Sequence, residues 1–312
     1  MNFAAASAAT EHRLARADAS GPRESWPPEC GRDARGPSLA LAGTNPNSLQ
    51  LRVASAVVLA PLPIAAIWFG GPWLPLLTAI AAAGMAWEWG RLCRRGQFGH
   101  SGIVLVMVVL AAVAVAALAS TGLAIATALL GAGLVLWAAW QKCDLEPQWT
   151  AFGVLWVALP CVCLLWLAHD GPTGRATLLW VLAVVWATDI GAYAVGRTVG
   201  GPRLLPRWSP RKTWAGLAGG TLCAALAGWA TALLFEISPA LPLVLVSAGL
   251  AIVEQFGDLA ESLAKRRFGV KDSSGLIPGH GGLLDRLDGL LAVIPVVALL
   301  MLIGGRGLLG WR

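Results

Sequence analysis

Charge is scarce in this sequence, and its scarcity argues against a soluble protein. Only 13% of the 312 residues are charged, 57% are hydrophobic, and the mean hydropathy is +0.68. A chain this apolar and this long is typical of a protein that crosses the membrane several times. The six cysteines form no Cys-x-x-Cys pair and have no histidine at zinc-ligand spacing, so neither a zinc site nor a disulfide framework is indicated.

Long apolar runs recur along the chain and predict an all-α, polytopic membrane protein. Runs of about 20 residues can cross about 30 Å of hydrocarbon as helices. They are continuously apolar and lack the alternating pattern of a transmembrane barrel. We predict about nine transmembrane helices, at residues 53–70, 73–90, 102–118, 121–139, 151–168, 176–195, 215–235, 241–258 and 289–304.

The cations predict which ends of these helices share one side of the membrane. Most of the 23 cations lie in the segments 1–52, 91–100, 197–214 and 262–286. With nine crossings these segments fall on one side, which the positive-inside rule places in the cytoplasm. We therefore expect a multi-pass protein of a bacterial inner membrane, with its charged loops facing the cytoplasm.

The chain divides into a tail and one membrane domain. Residues 1–48 are rich in Ala, Arg, Pro, Gly and Ser without helical periodicity, and we predict that they are disordered. They do not read as a signal peptide, because the first long apolar run begins only near Val53. Residues 49–312 form the predicted transmembrane domain, which shows no internal repeat, and its chemistry-bearing residues concentrate at roughly 180–290.

The most polar stretch of the domain, 262–288, lies between two apolar segments. Glu254, Asp258, Ser262 and Lys265 recur at steps of four, four and three, which places them on one face of a helix. Snorkelling at a helix end explains Lys265 but not Asp258, whose side chain is short. Glu254 is either functional or a structural hydrogen-bond partner.

Asp285 and Asp288 follow in the same stretch and open the last predicted helix. Magnesium prefers oxygen ligands, usually one or two carboxylates with water and substrate phosphates. Asp258 together with Asp285 or Asp288 fits that preference. Acidic residues also favour helix N-termini in general, which accounts for one aspartate but poorly for the cluster.

A glycine-rich segment, Gly279-His280-Gly281-Gly282, lies just before these aspartates. Its backbone N–H groups can approach a phosphate closely. His280 could serve as a base, a phosphate donor or a packing residue, and we favour the phosphate donor. Carboxylates, cations and glycines together indicate a site that binds a polyphosphate with its metal ion.

A second polar cluster ends the sixth predicted helix. Asp189, Tyr193 and Arg197 lie at steps of four on one face, and Asp189 is about 12 Å inside the helix end. An aspartate at that depth indicates function. A basic loop follows, which ordinary positive-inside charge would also explain; its polar residues are Arg203, Arg207, Ser209, Arg211, Lys212 and Thr213.

Together the two stretches resemble the membrane-embedded phosphatidate cytidylyltransferases, also called CDP-diacylglycerol synthases. The motifs that carry the resemblance are Ser262, Lys265-Arg266, Lys271-Asp272, His280-Gly281-Gly282, Asp285-Arg286-Leu287-Asp288, the Asp-x-x-Ala-Tyr-x-x-Gly-Arg of 189–197 and the Ser-Pro-x-Lys-Thr of 209–213. The resemblance extends from about Leu49 to the C-terminus. One departure is Ala215, where the family usually has glutamate; either Glu254 or Glu261 compensates, or the chain is a weakly active paralogue.

The resemblance implies transfer of a cytidylyl group from CTP to phosphatidate in the bilayer, and it implies no nucleic acid. Magnesium would be held by Asp258, Asp285 and Asp288, with a second cation allowed. Ser262, Lys265 and Lys271 would complete the catalytic set by holding phosphate oxygens. The expected substrate-binding residues are Asp189, Tyr193, Arg197, Ser209, Arg211, Lys212, Thr213, Arg266, His280, Gly281, Gly282 and Arg286. A homodimer is compatible with these expectations.

Several other functions stay open at this point. Another CTP-using lipid enzyme, such as a lipid kinase, shares the need for nucleotide and magnesium. A CDP-alcohol phosphotransferase would carry a DG-x-x-A-R motif, which is absent. A cation-coupled transporter would place its carboxylates near mid-membrane in two related halves. A structural scaffold is the weakest alternative, because it does not need such a cluster.

Overall fold

The computed structural model describes residues 57, 59–142, 144–169, 171–206, 208–277 and 281–304, which form a bundle of helices. The helices in these ranges are α1 (Pro61–Phe69), α2 (Trp73–Cys93), α3 (His100–Leu118), α4 (Thr121–Gln141), α5 (Pro147–Ala168), α6 (Pro172–Thr198), α7 (Trp214–Leu234), α8 (Leu241–Arg267) and α9 (Leu284–Gly304). The predicted all-α membrane fold is confirmed. The predicted disordered tail at 1–48 lies outside the described residues.

Seven of the described helices, α3 to α9, are long and apolar enough to cross a membrane, judged by length and composition. Helix α2 has the length but carries Glu88 and Arg91, and α1 has nine residues. Every predicted span coincides with a helix, although 53–70 falls partly outside the described residues. The largest difference is at α8, where the helix continues past the predicted membrane span 241–258 to Arg267, as the helical spacing of Glu254, Asp258, Ser262 and Lys265 predicts.

A short antiparallel hairpin, which the sequence analysis did not predict, occupies the basic loop between α6 and α7. Its strands are β1 (Arg203–Leu205) and β2 (Ser209–Thr213). The last residue of β2 also caps α7, since the Thr213 side chain accepts a hydrogen bond from the Gly216 N–H at 3.0 Å. The hairpin is thereby fixed to the start of α7.

Small residues let the helices that carry the polar clusters approach each other closely. Between α6 and α7, a Cβ atom at Gly191 would lie only 2.6 Å from Cys223 Sγ. Between α8 and α9, a Cβ at Gly257 would lie 3.0 Å from the Asp288 carbonyl oxygen, and one at Gly289 would lie 2.7 Å from a glutamate side chain of α8. The polar side of α8 is therefore held directly against the start of α9.

Ion pairs show that the charged loops gather at one end of the bundle. Arg94, after α2, pairs with Asp144, which precedes α5 and also accepts a hydrogen bond from Ser101. Arg267, at the end of α8, pairs with Glu146 at 2.9 Å. The loops α2–α3 and α4–α5 and the end of α8 therefore share one end, as the pattern of cations predicts.

Candidate active site

The two polar clusters of the sequence meet in the structure. Lys212, on β2, places its Nζ 2.6 Å from Asp258 Oδ2 on α8. The same Nζ lies 3.4 Å from the Gln255 carbonyl oxygen. The hairpin thus delivers a cation onto the polar face of α8, and this contact joins two motifs that are more than 40 residues apart.

The polar face of α8 has the arrangement that its spacing predicts. Ser262 Oγ donates a hydrogen bond to Asp258 Oδ1, one turn earlier, at 3.3 Å. Glu254 is buried and accepts a hydrogen bond from Gln255 Nε2 at 2.7 Å, which is the contact expected of a structural partner. Lys265 Nζ lies 3.1 Å from Glu261 Oε1.

Asp285, at the start of α9, is surrounded by donors. Its Oδ1 is 2.6 Å from Lys265 Nζ. Its Oδ2 accepts from the N–H and the hydroxyl of Ser273, both at 3.0 Å, and from the Gly282 N–H at 2.8 Å. Both oxygens are therefore engaged by the protein, so Asp285 organises the loop between α8 and α9 in addition to any role toward a cation.

Asp288, one turn further along α9, belongs to the same acidic cluster. Its Oδ1 accepts a hydrogen bond from the adjacent Gly289 N–H at 2.8 Å. It is close enough to Asp258 and Asp189 for their charges to interact. Asp189 also interacts with Glu254, so α6, α8 and α9 all contribute carboxyl groups to one region.

The acidic cluster has more carboxyl groups than paired cations. Its carboxyl groups belong to Asp189, Glu254, Asp258, Glu261, Asp285 and Asp288. Three cations are associated with it: Lys212 and Lys265 through ion pairs, and Arg286 through its charge interaction with Asp189. Glu261 is buried, its Oε1 lies 3.1 Å from Lys265 Nζ, and its Oε2 has no hydrogen-bond donor in the described part of the chain. Glu254 and Glu261 are buried, and the other carboxyl groups are partly or fully exposed. An excess of carboxyl groups over cations favours the binding of a cation, so the donor set fits magnesium.

A complete protein cage for a metal ion is not formed. No group of three or more His, Cys, Asp or Glu side chains in the described residues is arranged to hold one. The expected ligands Asp258, Asp285 and Asp288 therefore do not converge as a trio. Magnesium commonly takes one or two carboxylates and completes its shell with water and substrate phosphates, and the pair Asp258 and Asp288 suits that mode.

The remaining residues of the basic loop differ in their exposure. Arg211 is exposed, while Ser209, Lys212 and Thr213 are partly buried. Ala215, the departure from the family pattern, is partly buried in the first turn of α7. The hairpin therefore presents Arg211 outward and Lys212 toward the acidic cluster.

The outer surface of α6 carries the rest of the second cluster. Tyr193 is 68% exposed, and its hydroxyl accepts a hydrogen bond from Arg197 Nη1 at 3.1 Å. Tyr193 is therefore open to the side of the bundle rather than enclosed between helices. Arg286, at the start of α9, interacts with Asp189 and so links α9 to this surface.

The loop between α8 and α9 carries the other expected phosphate contacts. Lys271 is exposed, and the exposed Arg266 donates to the Val270 carbonyl at 3.3 Å. Gly281 has φ +85°, a conformation that favours glycine, and its carbonyl accepts from the Ile277 N–H at 2.9 Å. The Gly282 N–H is engaged by an aspartate of α9 rather than directed outward. His280 lies outside the described residues.

Sequence reasoning missed one carboxylate that contacts this loop. Glu88, in the apolar helix α2, is fully buried and accepts hydrogen bonds from residues of the α8–α9 loop. The available signal was its position, because an acidic residue inside an apolar helix is a functional hypothesis by default. Its partners lie more than 180 residues later in the chain, so no local pattern reveals them.

Comparison with known proteins identifies the family. The profile of the cytidylyltransferase family matches residues 50–303. The phosphatidate cytidylyltransferase of Brucella suis is 37% identical over 263 residues, covering 83% of this chain and 94% of the relative. That of Pseudomonas aeruginosa is 36% identical over 269 residues, covering 83% and 99%, and that of Rickettsia bellii is 28% identical over 258 residues, covering 80% and 90%. The chain therefore belongs to the cytidylyltransferase family, in agreement with the motifs gathered at this end of the bundle.

Proposed function

We propose that this protein transfers a cytidylyl group from CTP to phosphatidate, giving CDP-diacylglycerol and pyrophosphate. The relatives that share most of its length bear the name of that activity. The observation that carries the proposal is the contact between Lys212 and Asp258, because it brings both family motifs into one charged site at the end of a membrane bundle. A nucleotide can reach that end from water while the lipid stays in the bilayer.

In the proposed reaction, a phosphate oxygen of phosphatidate attacks the α-phosphorus of CTP. The new bond joins these two atoms, and the bond from the α-phosphorus to the bridging oxygen of the β-phosphate breaks, so pyrophosphate leaves with the electron pair. The nucleophile is already an anion and needs no general base. Catalysis then depends on positioning the two phosphates and neutralising their charge.

The residues divide between those two tasks. Lys212 and Lys265 are held at their tips by aspartates, so their charges are fixed beside the acidic cluster. Ser262, Lys271 and Arg211 are the proposed partners of phosphate oxygens. Lys271 and Arg211 are exposed and therefore accessible to a nucleotide from water.

Magnesium is proposed to bind at Asp258 and Asp288, with Asp285 as a further ligand if it exchanges one of its donors. When bound, the ion would neutralise charge on the phosphates and on the leaving pyrophosphate. The excess of carboxyl groups over cations supports this proposal and is compatible with a second cation.

The active site is proposed to face the cytoplasm of a bacterial inner membrane. The basic segments that meet at this end support that orientation through the positive-inside rule. Tyr193 and Arg197, exposed on α6, are placed to meet a lipid that arrives laterally. A homodimer is also proposed, and chemical crosslinking in native membranes would test it.

The decisive assay is pyrophosphate release by the purified protein in detergent micelles, with CTP and magnesium, with and without phosphatidate. Release only with phosphatidate, together with a CDP-lipid product, would support the proposal. A CTP-dependent lipid kinase would instead release CDP and form a phosphorylated lipid. Asp258→Asn should slow release severely while leaving a measurable rate, whereas Glu146→Gln, which alters a partly exposed ion pair at the same end of the bundle, should retain it.

A further inference from the structure

Glu88 is a fully buried carboxylate that the proposed reaction does not use. It lies on α2, yet all of its hydrogen-bond donors in the described residues come from the α8–α9 loop and the start of α9. Its Oε1 accepts from Ser274 Oγ at 2.5 Å and from the Leu283 N–H at 2.8 Å. Its Oε2 accepts from Ser273 Oγ at 3.2 Å and from the Leu284 N–H at 2.7 Å.

These donors come from two separate parts of one loop. Ser273 and Ser274 lie near its beginning, and Leu283 and Leu284 lie where α9 starts. The first N–H groups of a helix have no acceptor within the helix, and the positive end of the helix favours a negative charge. Glu88 supplies both the acceptors and the charge, so it binds the two ends of the loop to one point.

The same contacts lead directly to the acidic cluster. Ser273 Oγ lies within hydrogen-bond distance of both Glu88 and Asp285, and Asp285 pairs with Lys265. Gly282 lies between them: a Cβ there would be 1.8 Å from Ser273 Oγ and 2.7 Å from Glu88 Oε1. Only glycine leaves room for this arrangement.

We propose that Glu88 is a positioning residue that holds the α8–α9 loop in the geometry that binds the phosphates of CTP. It acts on Lys265 through Ser273 and Asp285, and on Lys271 through the path of the loop. The expected effect of Glu88 on CTP kinetics rests on the proposed cytidylyl transfer. The expected effect on the structure of the loop does not.

The structural consequence is tested by amide hydrogen exchange of the full-length protein in micelles. Glu88→Gln keeps the shape of the side chain but replaces one accepting oxygen by a donor. We expect exchange in peptides covering 273–286 to become at least about tenfold faster, as the loss of charged hydrogen bonds implies. Exchange in α3 and α5 should stay the same. Asp144→Asn is the matched control, because it removes another buried carboxylate at the same end that does not contact the loop.

The kinetic consequence separates positioning from general stability. In Glu88→Gln we expect KM for CTP to rise about tenfold while kcat at saturating CTP changes less than about threefold, because CTP binding itself restores the loop. Asp144→Asn should lower thermal stability without changing KM for CTP. Ser274→Ala removes one donor from the partly exposed side of the loop and should raise KM in the same direction, even if Glu88→Gln does not fold.

Unchanged loop exchange in both Glu88→Gln and Ser274→Ala would overturn the inference. Equal changes of KM in Glu88→Gln and Asp144→Asn would also overturn it, because they would indicate general destabilisation. If the unaltered protein releases no pyrophosphate, the proposed function fails, and the exchange experiment still decides whether Glu88 holds the loop.

Discussion

Replacing Lys212 by methionine would remove the cation that joins the hairpin to α8 while keeping most of the volume of the side chain. Lys212 Nζ lies 2.6 Å from Asp258 Oδ2, and the two side chains are 15% and 30% exposed. At an effective dielectric constant of about 20, the Coulomb attraction at this distance is about 6 kcal/mol before desolvation is subtracted. Net values for charged hydrogen bonds are about 1.5–3 kcal/mol. We therefore expect a coupling of about 2 kcal/mol, or about thirtyfold.

A double-mutant cycle measures this coupling. Lys212→Met, Asp258→Asn and the double variant would be compared by kcat/KM for pyrophosphate release and by thermal unfolding in detergent. Each single variant leaves a charge without its partner, so we expect the double variant to lose about thirtyfold less than the product of the two single losses. Arg211→Met combined with Asp258→Asn is the control, because Arg211 points outward and should show no coupling.

Additive losses for Lys212 and Asp258, within about 0.5 kcal/mol, would refute the reasoning. They would mean that each residue acts on the substrate independently and that the contact between them contributes nothing. A coupling that appears in thermal unfolding but not in kcat/KM would mean that the ion pair stabilises the hairpin and does not contribute to catalysis.

Three further predictions follow from the close helix contacts and from the acidic cluster. Gly289→Leu should destabilise the protein by at least about 1–3 kcal/mol in thermal unfolding, because even a Cβ is crowded there, whereas Gly249→Leu, where nothing lies within 4 Å of a Cβ, should not. Asp288→Asn should raise the magnesium concentration for half-maximal pyrophosphate release by about tenfold, and by more than Asp285→Asn does, since Asp285 is already engaged by protein donors. Ala215→Glu should change kcat/KM by less than about threefold, because the nearby lysine of β2 already has an aspartate partner.

Each of these three predictions has a result that would contradict it. Equal stability of the two glycine variants would mean that the α8–α9 crossing tolerates larger side chains. An unchanged magnesium requirement in Asp288→Asn would remove this residue from the metal proposal. A large gain of activity in Ala215→Glu would show that the missing glutamate limits this chain.

Periodicity made the helices and one face of the site predictable. The spacing of Asp258, Ser262 and Lys265 places them on one side of α8 whatever the tertiary structure, and the hydrogen bond from Ser262 to Asp258 confirms it. The membrane class follows from composition alone. The same spacing predicts that α8 continues beyond its apolar span to Lys265, although hydropathy alone ends that span at 258.

Contacts between distant segments were not predictable from one sequence. Lys212 reaches Asp258 only because a hairpin folds over the end of α8, and the loop between β1 and β2 gives no strong local signal for such a turn. The glycine-rich sequence of 279–282 predicts that its backbone N–H groups bind phosphate, whereas in the structure the Gly282 N–H donates to Asp285. The assignment of metal and substrate residues stays a prediction.

The contact between Glu88 and the start of α9 has a consequence for the biosynthesis of the protein. In the chain, 195 residues separate Glu88 from Leu283. At about 5–20 residues per second, a ribosome needs roughly 10–40 s to cover that separation. During this interval α2 has been made while its partners have not, so the Glu88 carboxylate has none of the hydrogen-bond donors that the α8–α9 loop later supplies. The hydrogen bonds between Glu88 and the loop can form only after α9 has been synthesised. In a chain that stops before α9, Glu88 would lack these partners, and chaperones and proteases could recognise the incomplete protein.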